Sequence, residues 1–296
     1  MADNEKRFNL EIHPTVFWVS AGLMVFFVLA TLTNLERASE TFNAVQSAIS
    51  TSAGWFYVLS VNIYLGIVVY LLLSRYGHIR LGGTEAQPDF SYWGWFSMLF
   101  SAGMGIGLLF FSVAEPIYHY GAPPWGEGNT VASAELAMSV TFFHWGIHAW
   151  GLYGLMALGL AYFAYNKGLP LTIRSVFYPL IGERIHGGWG NAIDILAAVS
   201  TLFGLATSLG LGAQQVNAGL AYLFDVSQTT GTQVILIAAI TGMATLSLIL
   251  GLDKGIRRLS QFNMIAAVAL LLFVLFLGPT FRLLDAFVQN IGQYIV

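Results

Sequence analysis

The sequence contains no cysteine. That excludes disulfides, iron–sulfur clusters and cysteine-ligated zinc, and leaves the compartment open. Charge is nearly as scarce. Asp, Glu, Lys and Arg make up 9% of the 296 residues, against about 25% in a soluble domain, too few to cover a water-facing surface. The 12 basic and 15 acidic residues leave a net charge of −3, which argues against a nucleic-acid partner. No HExxH, P-loop or nucleophile–base constellation is present, so the chain does not read as an enzyme.

Apolar residues fill the space that charge leaves: 56% of the chain is hydrophobic and the mean hydropathy is +0.70. A hydrocarbon core of about 30 Å takes about 20 mostly apolar residues per helical crossing. Seven stretches qualify: 16–32, 55–73, 92–113, 136–164, 193–212, 232–250 and 262–277. Long runs rich in Leu, Phe and Ala favour helices over barrel strands, which would alternate in shorter segments. The first run begins late and has no small-residue cleavage site after it, so it reads as a retained span and not a signal peptide.

Basic residues give the orientation. With residues 1–15 as a cytoplasmic tail, Lys6, Arg7, Arg75, Arg80, Lys167, Arg174, Arg184, Lys254, Arg257 and Arg258 all lie inside. Only Arg37 and Arg282 remain outside, which predicts a cytoplasmic N-terminus. Beyond Gly278-Pro279, apolar residues at 281, 284, 287, 288 and 291 predict an amphipathic helix over 281–296, lying on the outer face. The chain stops there among apolar residues, which reads as an interrupted sequence.

Three spans have weakened helices. The third contains Ser101, then Gly103, Met104, Gly105, Ile106 and Gly107. Glycine costs about 1 kcal/mol in a helix relative to alanine, so this stretch favours an unwound turn whose freed backbone groups line a cavity. Gly103 and Gly107 equally form a small-xxx-small pair suited to close packing. The fifth span carries Thr201, Thr207 and Ser208, whose hydroxyls are either oxygen ligands for a small hard cation or partners for their own backbone and neighbouring helices.

The fourth span holds the sharpest pattern, His144-Trp-Gly-Ile-His-Ala-Trp-Gly-Leu-Tyr153. At 100° per residue, Trp145, Trp150 and Tyr153 stand at roughly 0°, 140° and 80° on one broad face. Membrane tryptophans usually form interfacial belts, but these lie mid-span. An aromatic face at depth suits a cation that cannot donate hydrogen bonds, such as a quaternary ammonium. His144 and His148, one turn apart, suit a proton relay or interhelical hydrogen bonding. Glu115, before Pro116, reads as a boundary residue or gate, and Asp194 as an acid favoured by a helix N-terminus.

Four stretches together resemble the betaine/carnitine/choline transporter family. They are Gly103–Gly107 running into Ala114-Glu-Pro-Ile-Tyr-His119, then Phe143–Trp150 with Tyr153, Thr207–Gln215, and Gly251–Ser260 with Asn263. The resemblance implies an all-α polytopic fold of the LeuT-type five-plus-five kind. Residues 16–73 would be two peripheral helices and 92–277 the first of two inverted five-helix repeats, the second repeat being absent. It implies a homotrimer in a bacterial inner membrane, importing glycine betaine, choline or carnitine for osmoprotection, driven by sodium or protons. Trp145, Trp150 and Tyr153 would form one wall of a trimethylammonium cage, with the Gly103–Gly107 backbone, including Met104, Gly105 and Ile106, receiving the other end of the substrate. Sodium would take carbonyls of Ser101 and Met104. A second sodium would use two threonines one turn apart, of which Thr201 matches and Leu205 does not. With one repeat the fragment alone would be inactive. The alternatives are an amino-acid symporter of the same five-plus-five kind and a non-transporting membrane subunit.

Overall fold

The computed structural model describes residues 12–103 and 105–295. Among these residues the secondary structure is helical, with no strand. Helix α1, Pro14–Thr33, opens on a proline in its first turn, and α2, Leu35–Leu73, is capped by Asn34, whose side chain accepts from the Arg37 N–H. The sequence reading placed a span only at 55–73. The helix is instead 39 residues long, roughly 58 Å at 1.5 Å per residue, because nothing between Asn34 and Gly54 breaks it. Arg37 therefore sits in the first turn of α2.

Helix α3, Tyr92–Gly103, is followed by a π-helical turn at Gly107–Phe111 and by α4, Ser112–Gly121. The two arms of this pair are bent by 63°. Pro116 lies inside α4, where its missing N–H removes one bond of the ladder. The expected span 136–164 is divided. Helix α5, Val131–Trp145, ends at Gly146, whose backbone is extended (φ −85°, ψ −153°), and α6, Ile147–Ala161, restarts beyond it. After the short turns α7, Ile173–Val176, and α8, Tyr178–Ile181, come α9, Gly188–Phe224, and α10, Thr230–Ile249. Then follow α11, Arg257–Leu277, and α12, Thr280–Ile295. Among the described residues six helical stretches are long and apolar enough to cross a bilayer, with Val131–Asn166 taken as one across Gly146, or seven with the bent pair counted as one span, which matches the seven apolar stretches in number.

Among the described residues few large apolar side chains are buried, Ile185 and Met264 among them, and many buried positions are small: Ser97, Ser133, Ala137, Ala213, Ser260 and Ala267. Lipid tails are as apolar as leucine, so membrane helices gain by close backbone approach and interhelical hydrogen bonds, and keep their bulky apolar groups outward.

The contacts divide into two compact units, one drawn from Met1–Glu85 with Gly154–Gly204, the other from Ala86–Tyr153 with Leu205–Val296. In the first, Phe27 packs on Phe42 and edge-on against Phe203, with ring centroids at 5.5 and 4.7 Å. Asn166 clasps the turn after α2, accepting from Gly82 N–H and donating to Arg80 O, both at 3.0 Å. Asp194 does not open α9 but is its seventh residue. Its carboxylate accepts from Arg174 Nε at 2.6 Å and from the Arg174 backbone N–H at 3.0 Å, while the guanidinium also reaches Ile185 O. A near-buried ion pair, and not the helix dipole, accounts for that acid.

Candidate functional site

Within the second unit, α3 packs on α11 and α4 on α5. Ser101 and Asn263 stitch the first pair. Ser101 Oγ donates to Ser260 O at 3.3 Å and accepts from Asn263 Nδ2 at 3.2 Å. The glycines next to Ser101 bring the tryptophans in. A methyl on Gly103 would meet Trp150 Cη2 at 2.7 Å, and one on Gly107 would meet Trp145 Cζ3 at 2.5 Å. Each glycine makes room for one indole: Trp145 lies over Gly107, and Trp150 reaches Gly103 with its Cη2 corner.

The helix expected to be weakened at Gly103–Gly107 is bent there by 63° between its two arms. Gly105 and Ile106 keep helical backbone, and the bend is joined to a π-turn. Met104 lies outside the described residues. A π-turn shifts the hydrogen-bond ladder, and Gln215 of α9 uses the opening, donating from Nε2 to Leu109 O at 2.8 Å. Ile106 meets α9 at Gly212, where a methyl would lie 3.3 Å from Ile106 Cδ1.

Gly146 interrupts the stretch that carries the aromatic residues. The break at Gly146 puts Trp145 at the end of α5 and Trp150 and Tyr153 in α6, so angles reckoned along one continuous helix do not apply. Glycine is needed at 146 because a methyl there would clash with Phe142 O and stand 2.9 Å from Tyr294 Oη. Trp150 and Tyr153 form a tilted ring pair at 5.8 Å, and both are exposed, at 39% and 58%. Trp145 instead has His144 and Phe111 as ring neighbours, at 4.7 and 5.8 Å.

Sequence reasoning missed what holds Trp145. Glu115 lies in the first turn of α4, and only 7% of it is exposed. Its Oε2 accepts from Trp145 Nε1 at 2.7 Å, and His144 Nδ1 lies 2.9 and 3.0 Å from its two oxygens. His119 Nε2 stands 3.7 Å away. The signal was present in the sequence, as a carboxylate in an apolar stretch that needs a partner, but the partners are about 30 positions away. The two histidines divide their work: His144 faces Glu115, and His148 Nδ1 pairs with Tyr294 Oη of α12 at 2.7 Å. That is interhelical hydrogen bonding and not a chain between the histidines. Thr201 donates to Ala197 O at 2.8 Å, one turn back in its own helix. Among the described residues no cluster of His, Asp and Glu is arranged to hold a metal ion.

Long apolar helices, small residues at their contacts, and polar groups paired across helices define a polytopic helical membrane protein. Its sequence matches the betaine/carnitine/choline family of transporters over residues 15–296, and the chain belongs to that family, one of transporters and not of enzymes. It is 48% identical to a glycine betaine/proline/choline transporter of Vibrio parahaemolyticus, over 97% of this chain and 55% of the relative. It is 49% identical to a glycine betaine transporter of Acinetobacter baylyi, over 96% and 43%. With a high-affinity choline transport protein of Escherichia coli the identity is 45%, over 96% and 42%. The chain thus spans about half the length of the relatives it matches.

Proposed function

We propose that this chain is the N-terminal part of a secondary transporter that imports a quaternary ammonium compound of the glycine betaine, choline or carnitine type. The observation that carries the reading is the Trp150–Tyr153 ring pair, with Trp150 seated on Gly103 and both rings still open to approach. A tetra-alkyl cation gives nothing to a hydrogen-bond acceptor, so aromatic faces within about 6 Å of it are its natural partners. Trp145, on Gly107, extends the same wall. The Gly103–Gly107 backbone, at the 63° bend, would receive the substrate's carboxylate or hydroxyl end, since a bend at membrane depth frees backbone groups. Names of the relatives support the same substrate class.

On this reading the architecture is five-plus-five. Residues 16–73 are peripheral helices, 92–277 the first inverted repeat, and α12 an amphipathic helix on the outer surface. A cytoplasmic N-terminus, a homotrimer in an inner membrane and a role in osmoprotection go with it. Coupling is by sodium or protons. Ser101 and Met104 supply carbonyls to one sodium, and Thr201, whose hydroxyl oxygen keeps lone pairs after donating to Ala197, offers one ligand to a second. A binding site between repeats needs both, so residues 1–296 alone do not transport.

The test is uptake by the full-length protein in proteoliposomes. A desolvated cation–π contact is worth about 2 kcal/mol, roughly 30-fold in affinity. Trp150→Leu is therefore expected to weaken glycine betaine uptake about that much while leaving thermal unfolding nearly unchanged. Trimethylated glycine should compete and unmethylated glycine should not. Equal competition by both would point to an amino-acid symporter and refute the cage.

A further inference from the structure

Glu115 is a carboxylate with almost no access to solvent, and each of its oxygens is engaged. A buried charge of this kind is tolerated only when hydrogen-bonded and paired. The pairing group is His144. Because a carboxylate oxygen and a bare ring nitrogen would both be acceptors, the close approach of Nδ1 to both oxygens places a proton between them, carried on Nδ1 when Glu115 is ionised. The far side of the same ring is open, for 57% of the His144 side chain is exposed. One imidazole thus spans from a buried carboxylate to accessible space, and the indole N–H of Trp145 shares that carboxylate.

We propose that the Glu115–His144 pair is a proton-binding site whose occupancy is read by Trp145. A proton from water adds to Nε2 of His144 and no other bond breaks. The pair goes from one net negative charge to none, and the hydrogen bond at Nδ1 becomes charge-assisted on both sides. The carboxylate then gives less to Trp145 Nε1. A less strongly held N–H leaves the indole less electron-rich, so proton uptake weakens the face that the indole offers to a cation. This last consequence rests on the proposed cation site, whereas the proton site does not.

The groups able to interfere are few among the described residues. On α4 itself His119 faces Glu115, with Nε2 at 3.7 Å and Nδ1 buried without a hydrogen-bond partner. The π-turn at Gly107–Phe111, which packs on α4, carries no titratable group. On α5 the facing group is His144, and Glu135 lies at the other end, beside the groove lined by Gln289 and Gln293. Helix α12, which packs on α5, contributes Tyr294, taken by His148, with Arg282 and Asp285 in its first two turns.

The experiment follows the indole N–H of Trp145 by 15N NMR in the full-length protein in nanodiscs, assigned by its loss in Trp145→Phe. The expected result is a resonance whose position follows pH. The titration should be lost in Glu115→Gln and in His144→Gln. The second variant changes a largely exposed side chain and keeps an N–H donor, so it stays available if the first fails to fold. A resonance that does not move with pH, or one that titrates unaltered in His144→Gln, overturns the inference. Tetramethylammonium, added as the probe cation, separates the two readings. A titrating indole with no tetramethylammonium binding at any pH upholds the proton site and removes the cation site.

Discussion

Replacing Gly107 by alanine tests whether the indole of Trp145 truly rests on the backbone. The new methyl would stand 2.5 Å from Cζ3 and 2.9 Å from Cε3 and Cη2, where carbon atoms settle about 3.5–4.0 Å apart. The ring would have to withdraw by roughly 1 Å. It is not free to do so, since Nε1 is bonded to Glu115 at 2.7 Å and His144 stacks at 4.7 Å. Overpacking of this kind costs about 1–3 kcal/mol, and the better helix propensity of alanine offsets about 1 kcal/mol of it. Gly105→Ala is the control: it has the same propensity gain, and nothing lies within 4 Å of the added methyl. The two variants should therefore differ by about 1–3 kcal/mol in thermal or denaturant unfolding of the full-length protein in detergent. Trp145→Leu should remove most of that difference, giving a coupling energy of roughly 0.5–3 kcal/mol in a double-mutant cycle. Equal stability of the two glycine variants, or a cycle with no coupling, would refute the seating argument.

The remaining predictions concern single bonds. Asp194→Asn leaves the near-buried Arg174 guanidinium without its partner and is expected to cost about 3–5 kcal/mol in unfolding experiments. Arg174→Met with Asp194→Leu should recover much of this loss. Tyr294→Phe removes the 2.7 Å bond to His148 and is expected to lower stability by about 0.5–1.5 kcal/mol. Tyr178 lies in the segment between α6 and α9. Its phenol is held above the ordinary tyrosine value by the hydrogen bond to Glu183, reinforced by the carboxylate's charge. Glu183→Gln should move its alkaline ultraviolet titration down towards that ordinary value, judged against Tyr178→Phe, and an unchanged midpoint would contradict the contact.

Seven apolar stretches were legible because lipid imposes length and apolarity, and both are visible residue by residue. Where a helix continues into polar sequence the reading stopped short, as at Leu35–Gly54 of α2 and at residues 213–224 of α9, because hydropathy marks the bilayer and not the helix end. The break at Gly146 was hidden for a different reason. Glycine is common in membrane helices, and what makes this one decisive is Tyr294, almost 150 residues away. The same holds for Glu115. Its proximity to Pro116 suggested an edge, and only the packing of α4 on α5 turns it into a buried acceptor for His144 and Trp145. Tryptophans and glycines were recognisable as residues worth singling out, but which glycine serves which tryptophan was not.

That pairing changes how the glycine stretch is understood. Close packing and the opening of a binding site looked like competing uses of Gly103 and Gly107. In the structure each glycine admits an indole to contact with the backbone, Trp145 by its face over Gly107 and Trp150 by its Cη2 edge against Gly103, so the contact fixes where each ring stands. Packing is then what orients the rings. It follows that enlarging Gly103 should damage ligand recognition before it damages the fold. Trp150 is partly exposed and has Tyr153 as its ring neighbour, whereas Trp145 is pinned by Glu115. Gly103→Ala is accordingly expected to raise the half-saturating concentration for betaine uptake by roughly tenfold, the equivalent of about 1.4 kcal/mol, with a smaller loss of thermal stability than Gly107→Ala. If Gly103→Ala instead unfolds the protein as readily and leaves uptake affinity untouched, the indole of Trp150 is a packing element, and the methylated cation must be held elsewhere.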